Sequence, residues 1–421
     1  MKRTIGVVAM ATAAVMGLAA CGGSGQSGAS GEGGTLEVYL DMSTGSPVYA
    51  EMKTLVDTYQ QETGTSIDLS IDGTESYEKE MKVRMASSNL PDVFSTHGWS
   101  LLRYSPFLEP LTDQSWVKDV NTGLDSAMKD SDGNIYALPI EYTVTGLSVN
   151  FDVLEEAGVD PDSITTWDDF DAAAAKVKAA GKTAIACSGK GSGAGNIADF
   201  IASGAFADDQ LASFTNGDFL SDAWTGNVLD RVADWSEKGY FNPDYSSATD
   251  DDVARLMGQG EAAFAMRQPS ALQAALDLNP DANIGFIPMP TDSGQGYLVG
   301  GEGVNAYGVS KTSENKEAAL AFLDFLAQPE NATALAEATG TYSGLTTAEP
   351  DLGTLQSSYD TWVAPEELPT NPFFDRVYLP NGIWDTMIAT TDSVITGQSD
   401  ASSATRQLAD QYNTLYSQNS N

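Results

Sequence analysis

Asp132-Gly133-Asn134-Ile135-Tyr136-Ala137-Leu138-Pro139-Ile140, continuing through Gly146-Leu147-Ser148-Val149-Asn150, is the stretch whose reading decides the fold. It opens on Asp-Gly, the pair best suited to a tight turn that needs positive φ. Ile135 to Leu138 reads as a short apolar strand, and Pro139, which cannot donate to a sheet, is expected to stop it. A second extended piece, Leu147-Ser148-Val149, follows Gly146. Helical and strand patterns alternate before this stretch, and a helix-richer region follows it to about residue 300. The chain is expected to pass here from one lobe to another.

Upstream, Leu36 to Leu40 forms a first strand, and Ser46-Pro47 supplies an N-cap and an N1 proline. Tyr49, Met52, Leu55, Val56 and Tyr59 then recur at helical spacing as far as Gly64. Ile67, Leu69 and Ile71 alternate as a second strand. A helix runs from about Glu75 to Ser88, and Asp92 to Thr96 is a third strand. This βαβαβ order implies a parallel sheet, with ligands beyond the carboxyl ends of its strands. Those ends are Asp41 to Ser43, Gly73 to Tyr77, and Thr96 to Trp99.

Downstream, Thr166 caps a helix whose first turn is acidic. Strands are expected at Thr183 to Cys187, Ala262 to Met266, Asn283 to Ile287 and Val304 to Val309. Helical patterns cover about 196–206, 219–238 and 249–258, and Ala318, Ala319, Phe322, Phe325 and Leu326 share one helix face. Beyond Gly340 a loop with five prolines leads to two last helices, about 381–396 and 402–418. A chain of 421 residues, 42% apolar, is too long for one ordinary core, so two α/β lobes are expected.

The N-terminus reads as a leader. Lys2 and Arg3 precede an apolar run from Ile5 to Ala20, and Leu18-Ala19-Ala20-Cys21 resembles the lipobox of bacterial lipoproteins. Residues 1–20 would then be a signal peptide and Cys21 the lipidated first residue, tethered through a flexible Gly/Ser linker ending at residue 34. With Cys21 acylated, Cys187 has no disulfide partner. No later run approaches the ~18 apolar residues needed to span a bilayer. The net charge is −38; without Lys2 and Arg3, 19 basic residues face 59 acidic ones, for −40. That excludes nucleic acid as a partner and, because the acids are scattered, indicates a solvated acidic surface.

Several motifs, in order, resemble the family 1 extracellular solute-binding proteins of ABC importers, the maltose-binding type. They are Leu90-Pro91-Asp92-Val93-Phe94, the stretch from Asp132 to Pro139, Gly146 to Asn150, Thr166-Trp167-Asp168, Gly239-Tyr240-Phe241-Asn242-Pro243, and Gly258 to Met266. Ile284-Gly285-Phe286 through Pro290 and the helix from Ala318 to Phe325 complete the set. The resemblance covers nearly all of residues 35–420. It implies a periplasmic-binding-protein-like (type II) α/β fold with two lobes, an interdomain cleft and three crossing segments. Lobe 1 would comprise residues 35–140 plus 303–345, and lobe 2 residues 141–302 plus 346–421. The second crossing would lie near Gly300 to Gly303 and the third near Thr341 to Thr347. The implied partners are an oligosaccharide, a pair of permease subunits and an ATPase, with the binding protein a monomer that needs no cofactor.

A sugar site needs aromatic faces for the ring and short polar groups for the hydroxyls. The candidates are the strand-end residues Asp41, Ser43, Glu75, Tyr77, Thr96 and Trp99, although loop solvation and helix capping compete for the acids. By resemblance, Glu141 and Tyr142 lie at the first crossing, Gly301 and Glu302 at the second, and Trp384 where maltose-type binders carry a stacking tryptophan. Trp224 suits a cleft or a core alike; Trp167 and Trp235 suit a core. Arg267 follows a strand and would orient a ligand or bridge the lobes, but Gln268-Pro269-Ser270 stands where the family often has an aromatic residue.

Gly189-Lys190-Gly191-Ser192-Gly193-Ala194-Gly195 lies between a strand and a helix as phosphate loops do, without their spacing. Asp130 to Asn134 misses the EF-hand pattern, and Asp250-Asp251-Asp252 reads as a helix start; no metal ligand set is expected. His97 is the only histidine and no G-x-S-x-G elbow is present, so nucleophilic triads have little to build on. The expectation is a binder, not an enzyme. Its rivals are a binder of peptide or polyamine, a glycoside hydrolase, which needs only two carboxylates, and a surface adhesin.

Overall fold

Ser46 starts the first helix, Pro47–Thr63, as its sequence predicts: the Ser46 side chain accepts from the Tyr49 N–H, and Gly64 ends the helix at φ +73°. The helix buries Val48, Met52, Leu55, Val56 and Tyr59, and Tyr59 meets Phe322 and Phe325 of the helix Lys316–Leu326 at ring separations of 5.2 and 5.1 Å. The structure, a computed structural model, describes residues 34–96, 101–302, 305–365 and 367–419. The expected signal peptide, Cys21, most of the linker, His97, Trp99 and Gly303 therefore lie outside the described residues.

Thirteen strands run through those residues: β1 (Leu36–Asp41), β2 (Ile67–Asp72), β3 (Val93–Thr96), β4 (Leu138–Pro139), β5 (Glu141–Thr145), β6 (Leu147–Asn150), β7 (Thr183–Ile185), β8 (Ala262–Ala265), β9 (Ile284–Ile287), β10 (Leu298–Glu302), β11 (Ala306–Val309), β12 (Tyr342–Ser343) and β13 (Thr370–Pro372). They form three sheets, ordered β2-β1-β3-β11-β4, β12-β5-β10-β13 and β7-β8-β6-β9. The first is the lobe 1 sheet. Its β1, β2 and β3 are parallel as the βαβαβ pattern requires, while β11 runs antiparallel to β3 and β4 because it arrives from the other lobe. The third is the lobe 2 sheet, in which β6 is antiparallel to β8 and β9.

The stretch from Asp132 to Asn150 threads all three sheets. Gly133, at φ +82°, makes the expected turn. The strand does end at Pro139, but it is shorter than expected: β4 is only Leu138–Pro139, at the sheet edge, where the proline's missing N–H costs no ladder bond. Two residues on comes β5, a fully buried strand that the sequence pattern did not suggest, then β6 after Gly146. The two other crossings meet β5 from either side, β10 through Gly300↔Val144 and β12 through Tyr342↔Tyr142.

Lobe 2 packs Trp167, Phe170, Trp235 and Phe264 together, with Phe170 4.9 Å from both Trp235 and Phe264. The Trp235 indole donates to Asp171 at 2.8 Å, so both tryptophans expected in the core are there. The helix expected at 196–206 spans Gly193–Ala202, and the pattern at 219–238 divides into Ser221–Trp224, a π-helical turn and Asp230–Glu237. Among the described residues no helix is long and apolar enough to cross a membrane.

Candidate ligand-binding cleft

The helix Gly193–Ala202 is buried at every residue, yet Ser192, Asn196 and Asp199 line a cavity of ≈ 640 Å³ between the lobes. Spaced at i, i+4 and i+7, they form one polar stripe on an otherwise apolar helix. Lobe 1 contributes Thr74, Glu78 and Arg103 to the opposite wall. The lobe 2 wall also takes Arg267 after β8, Phe373, Asp375 and Arg376 after β13, and Trp384 at the head of the helix Trp384–Ile395.

Trp384 is held in place from behind. A Cβ at Gly195 would stand 3.1 Å from its ring and 2.7 Å from Ile388 Cγ1, so only glycine lets the two helices approach this closely. Phe373 is buried at the back of the wall, with Gly301, whose Cβ would be 3.3 Å from its ring, on one side and the Arg376 guanidinium at 4.2 Å over it.

Every arginine in the cleft faces an acid. Arg103 Nη1 bonds both oxygens of Glu78, at 2.8 and 2.6 Å. Arg267 Nη1 donates to Asp250 at 2.9 Å and to Ser192 Oγ at 3.4 Å, and Arg376 stands beside Asp375. Asp250 also accepts from Ser188 Oγ at 2.5 Å and from the Ser192 backbone. Burial works against its charge, but Arg267 and these hydrogen bonds prevail and hold it below the usual carboxylate range. A Cβ on Gly191 would fall 2.4 Å from the Asp250 carboxylate. The glycine-rich loop therefore cradles an internal carboxylate, which disposes of the phosphate-loop reading.

Arg267 and Trp384 thus stand in the cleft as the sequence suggested, and Gly301 lies just behind it. Other candidates do not reach it. Tyr77 is a core residue: its ring is fully buried and its hydroxyl donates to the Ser95 carbonyl at 2.5 Å, because it sits on the inner face of its helix with Met81. Trp224, 0% exposed, packs among Phe206, Phe214, Phe219 and Phe374 in lobe 2. Asp41 is buried beneath the wall, where it accepts from Thr74 Oγ1 at 3.1 Å, and Ser43 is exposed ahead of the first helix, its carbonyl taken by Ser46. Thr96 is buried opposite Ala306. Glu141 and Tyr142 are buried by β5's neighbours; Glu141 accepts from the Asn305 N–H at 3.3 Å. The side chains of Glu75 and Glu302 lie outside what the structure describes; their backbones belong to the helix Thr74–Ser87 and to β10.

Glu78, Arg103, Ser192, Asn196, Asp199, Phe373, Asp375 and Arg376 were not singled out from sequence. The 192/196/199 stripe was a readable signal; Phe373 to Arg376, in the proline-punctuated loop, carries no periodicity. A second concavity, ≈ 530 Å³, is lined by lobe 2 and β13 residues, among them Trp167 and Arg231, and does not face lobe 1.

Residues 43–333 match the family model described as bacterial extracellular solute-binding protein. The chain belongs to that family. This binding protein is 31% identical, over 84% of its length and 83% of the relative's, to the melibiose/raffinose/stachyose-binding protein MelE of Bacillus subtilis. It superimposes on a B. subtilis putative binding protein MsmE, solved in an open conformation, with a TM-score of 0.84 at 28% identity, covering 92% of this chain and 99% of that one. A Bacillus licheniformis sugar transporter solved with stachyose gives 0.77 at 29% identity, covering 90% of this chain and all of that one. The two-lobe α/β architecture and an extracytoplasmic setting follow from the family.

Proposed function

We propose that this binding protein captures a neutral oligosaccharide, of the α-galactoside class that includes melibiose, raffinose and stachyose, and delivers it to an ABC importer. The observation that carries the reading is the makeup of the cleft: Trp384 as a ring surface beside the Ser192–Asn196–Asp199 stripe, with each arginine matched by a carboxylate. Such walls suit many hydroxyls and no net charge. A polyamine would need carboxylates not already engaged, and an acidic ligand would need free cations. The names of the relatives point the same way.

Binding without turnover fits the carboxyl geometry. Glycosidase carboxyls stand about 5–9.5 Å apart to flank a glycosidic bond. The cleft's Asp199 and Asp375 instead adjoin one another through the Asp375 N–H, and Glu78 is engaged by Arg103. The reading extends to lobes spanning residues 35–140 plus 303–345 and 141–302 plus 346–421, a lipid anchor at Cys21, permease and ATPase partners, and a monomeric state.

Calorimetric titration with raffinose, stachyose, maltotriose, spermidine and a tripeptide tests it. Raffinose or stachyose should bind with micromolar or tighter affinity and the last two not at all; tripeptide or spermidine binding alone would overturn the assignment. Chromatography after overnight incubation should recover the sugar intact.

A further inference from the structure

Asp199 is 1% exposed, in the third turn of a helix with no other charged residue. A buried carboxylate is costly unless it is paired and hydrogen-bonded. The Asp375 backbone N–H donates to Asp199 Oδ1 at 2.8 Å, which sets the two aspartates side by side in the cleft wall. Ionised carboxylates only accept, so two of them set side by side away from water are relieved by keeping one proton. The surroundings decide which partner carries it. Arg376 favours the charged form of both, and the Asp375 N–H favours that of Asp199, so burial is what separates them: Asp375 is partly exposed and Asp199 is not. Asp199 lies deeper and faces Asp375 from one side and Tyr297 from another, where the Tyr297 hydroxyl is committed to the carbonyls of Phe200 and Ile201.

We propose that Asp199 is a positioning residue: it remains protonated, donates to Asp375, and so holds an ionised Asp375 in fixed orientation toward the hydroxyls of the captured sugar. The inference rests on the sugar reading above. Burial first, and the neighbouring Asp375 second, push Asp199 well above the usual carboxylate range, in keeping with that role. Burial raises Asp375 as well, opposed by Arg376 and by the bond from Asp199. Closing lobe 1 over the pair removes water from it, so the bound state favours the proton further. Affinity must then fall as pH rises through the Asp199 titration, by at most about tenfold per pH unit for one proton.

Two measurements test this. Carbon-13 carboxyl spectra of the sugar-free protein should show one aspartate still protonated at pH 7, and that signal should vanish in Asp199→Asn; all aspartates ionised at pH 7 would overturn the proposal whether or not any sugar binds. Raffinose titrations from pH 6 to 9.5 should show a wild-type Kd that climbs in the alkaline range and an Asp199→Asn profile that is flat, since asparagine keeps a donor that does not titrate. Parallel profiles would equally sink it. Asp199→Leu, which keeps volume but no donor, should weaken raffinose at least tenfold at pH 7. If that variant does not fold, the asparagine profile and the spectra decide. Raffinose failing to bind every form would count against the sugar assignment, leaving the spectra to settle the proton.

Discussion

Gly195 shows how a side chain's absence can serve a binding site. Gly195→Val would press on Ile388 and Trp384, and overpacking of this kind costs about 1–3 kcal/mol. The expected result is a raffinose affinity lowered more than tenfold with a melting temperature only a few degrees down; unchanged affinity would mean that Trp384 does not meet the ligand. The tryptophans themselves form a matched test. Trp384→Ala should abolish binding with a small loss of stability, because the ring is half-buried at the cleft. Trp224→Ala should instead cost about 3–5 kcal/mol in urea unfolding, as expected for a large side chain removed from an aromatic core. Asp250→Ala strands Arg267, whose side chain is only 10% exposed, and a loss of about 2–4 kcal/mol is expected, discounted from a fully buried pair because Asp250 is 43% exposed. Little change in the urea midpoint would show that water replaces the carboxylate.

At the scale of elements, caps and periodic faces were legible and short irregular pieces were not. Thr166 and Asp169 form the capping box that their spacing announces, with Asp169 accepting from the Thr166 N–H at 2.9 Å. Thr166→Ala should cost about 1 kcal/mol at neutral pH. Asp169 is held below the ordinary carboxylate range by the Thr166 side chain first and its backbone second. A depressed folded-state value means the stabilisation is complete above the ordinary ~3.9 and drains away as pH falls through the folded value. The wild-type advantage over Thr166→Ala should therefore shrink between pH 5 and pH 2, measured by urea midpoints; an advantage that grew on acidification would refute the linkage. By contrast β5 was missed because Glu141, Thr143 and Thr145 make it look polar, although the crossing sheet buries every residue of it. β13 and the Phe373–Arg376 wall were missed because three-residue strands next to prolines leave no period to detect. Arg267 was legible from the strand it follows, and Trp384 only through the resemblance to maltose-type binders, not through any local pattern.

For the whole molecule, ligand contacts on both walls predict hinge closure, with the crossing sheet of β12, β5, β10 and β13 as the bending region. Solution scattering should show a smaller radius of gyration when raffinose is added to the wild type and no change with Trp384→Ala. A rigid profile in saturating sugar would favour an adhesin-like surface. The crossing sheet has another consequence, for inheritance. Covalent order and spatial order are interleaved in two of the sheets: the lobe 1 sheet borrows β11 from late in the chain and the middle sheet waits for β13 at Thr370–Pro372, whereas the lobe 2 sheet is built from the consecutive strands β6 to β9. No uninterrupted run of strands in the gene encodes the first sheet. A premature stop before the codons for β13 leaves the middle sheet without its last strand, whereas two separately translated halves, cut at the exposed Asp132–Gly133 turn, would divide only the first sheet, β1, β2 and β3 on one piece docking against β11 and β4 on the other.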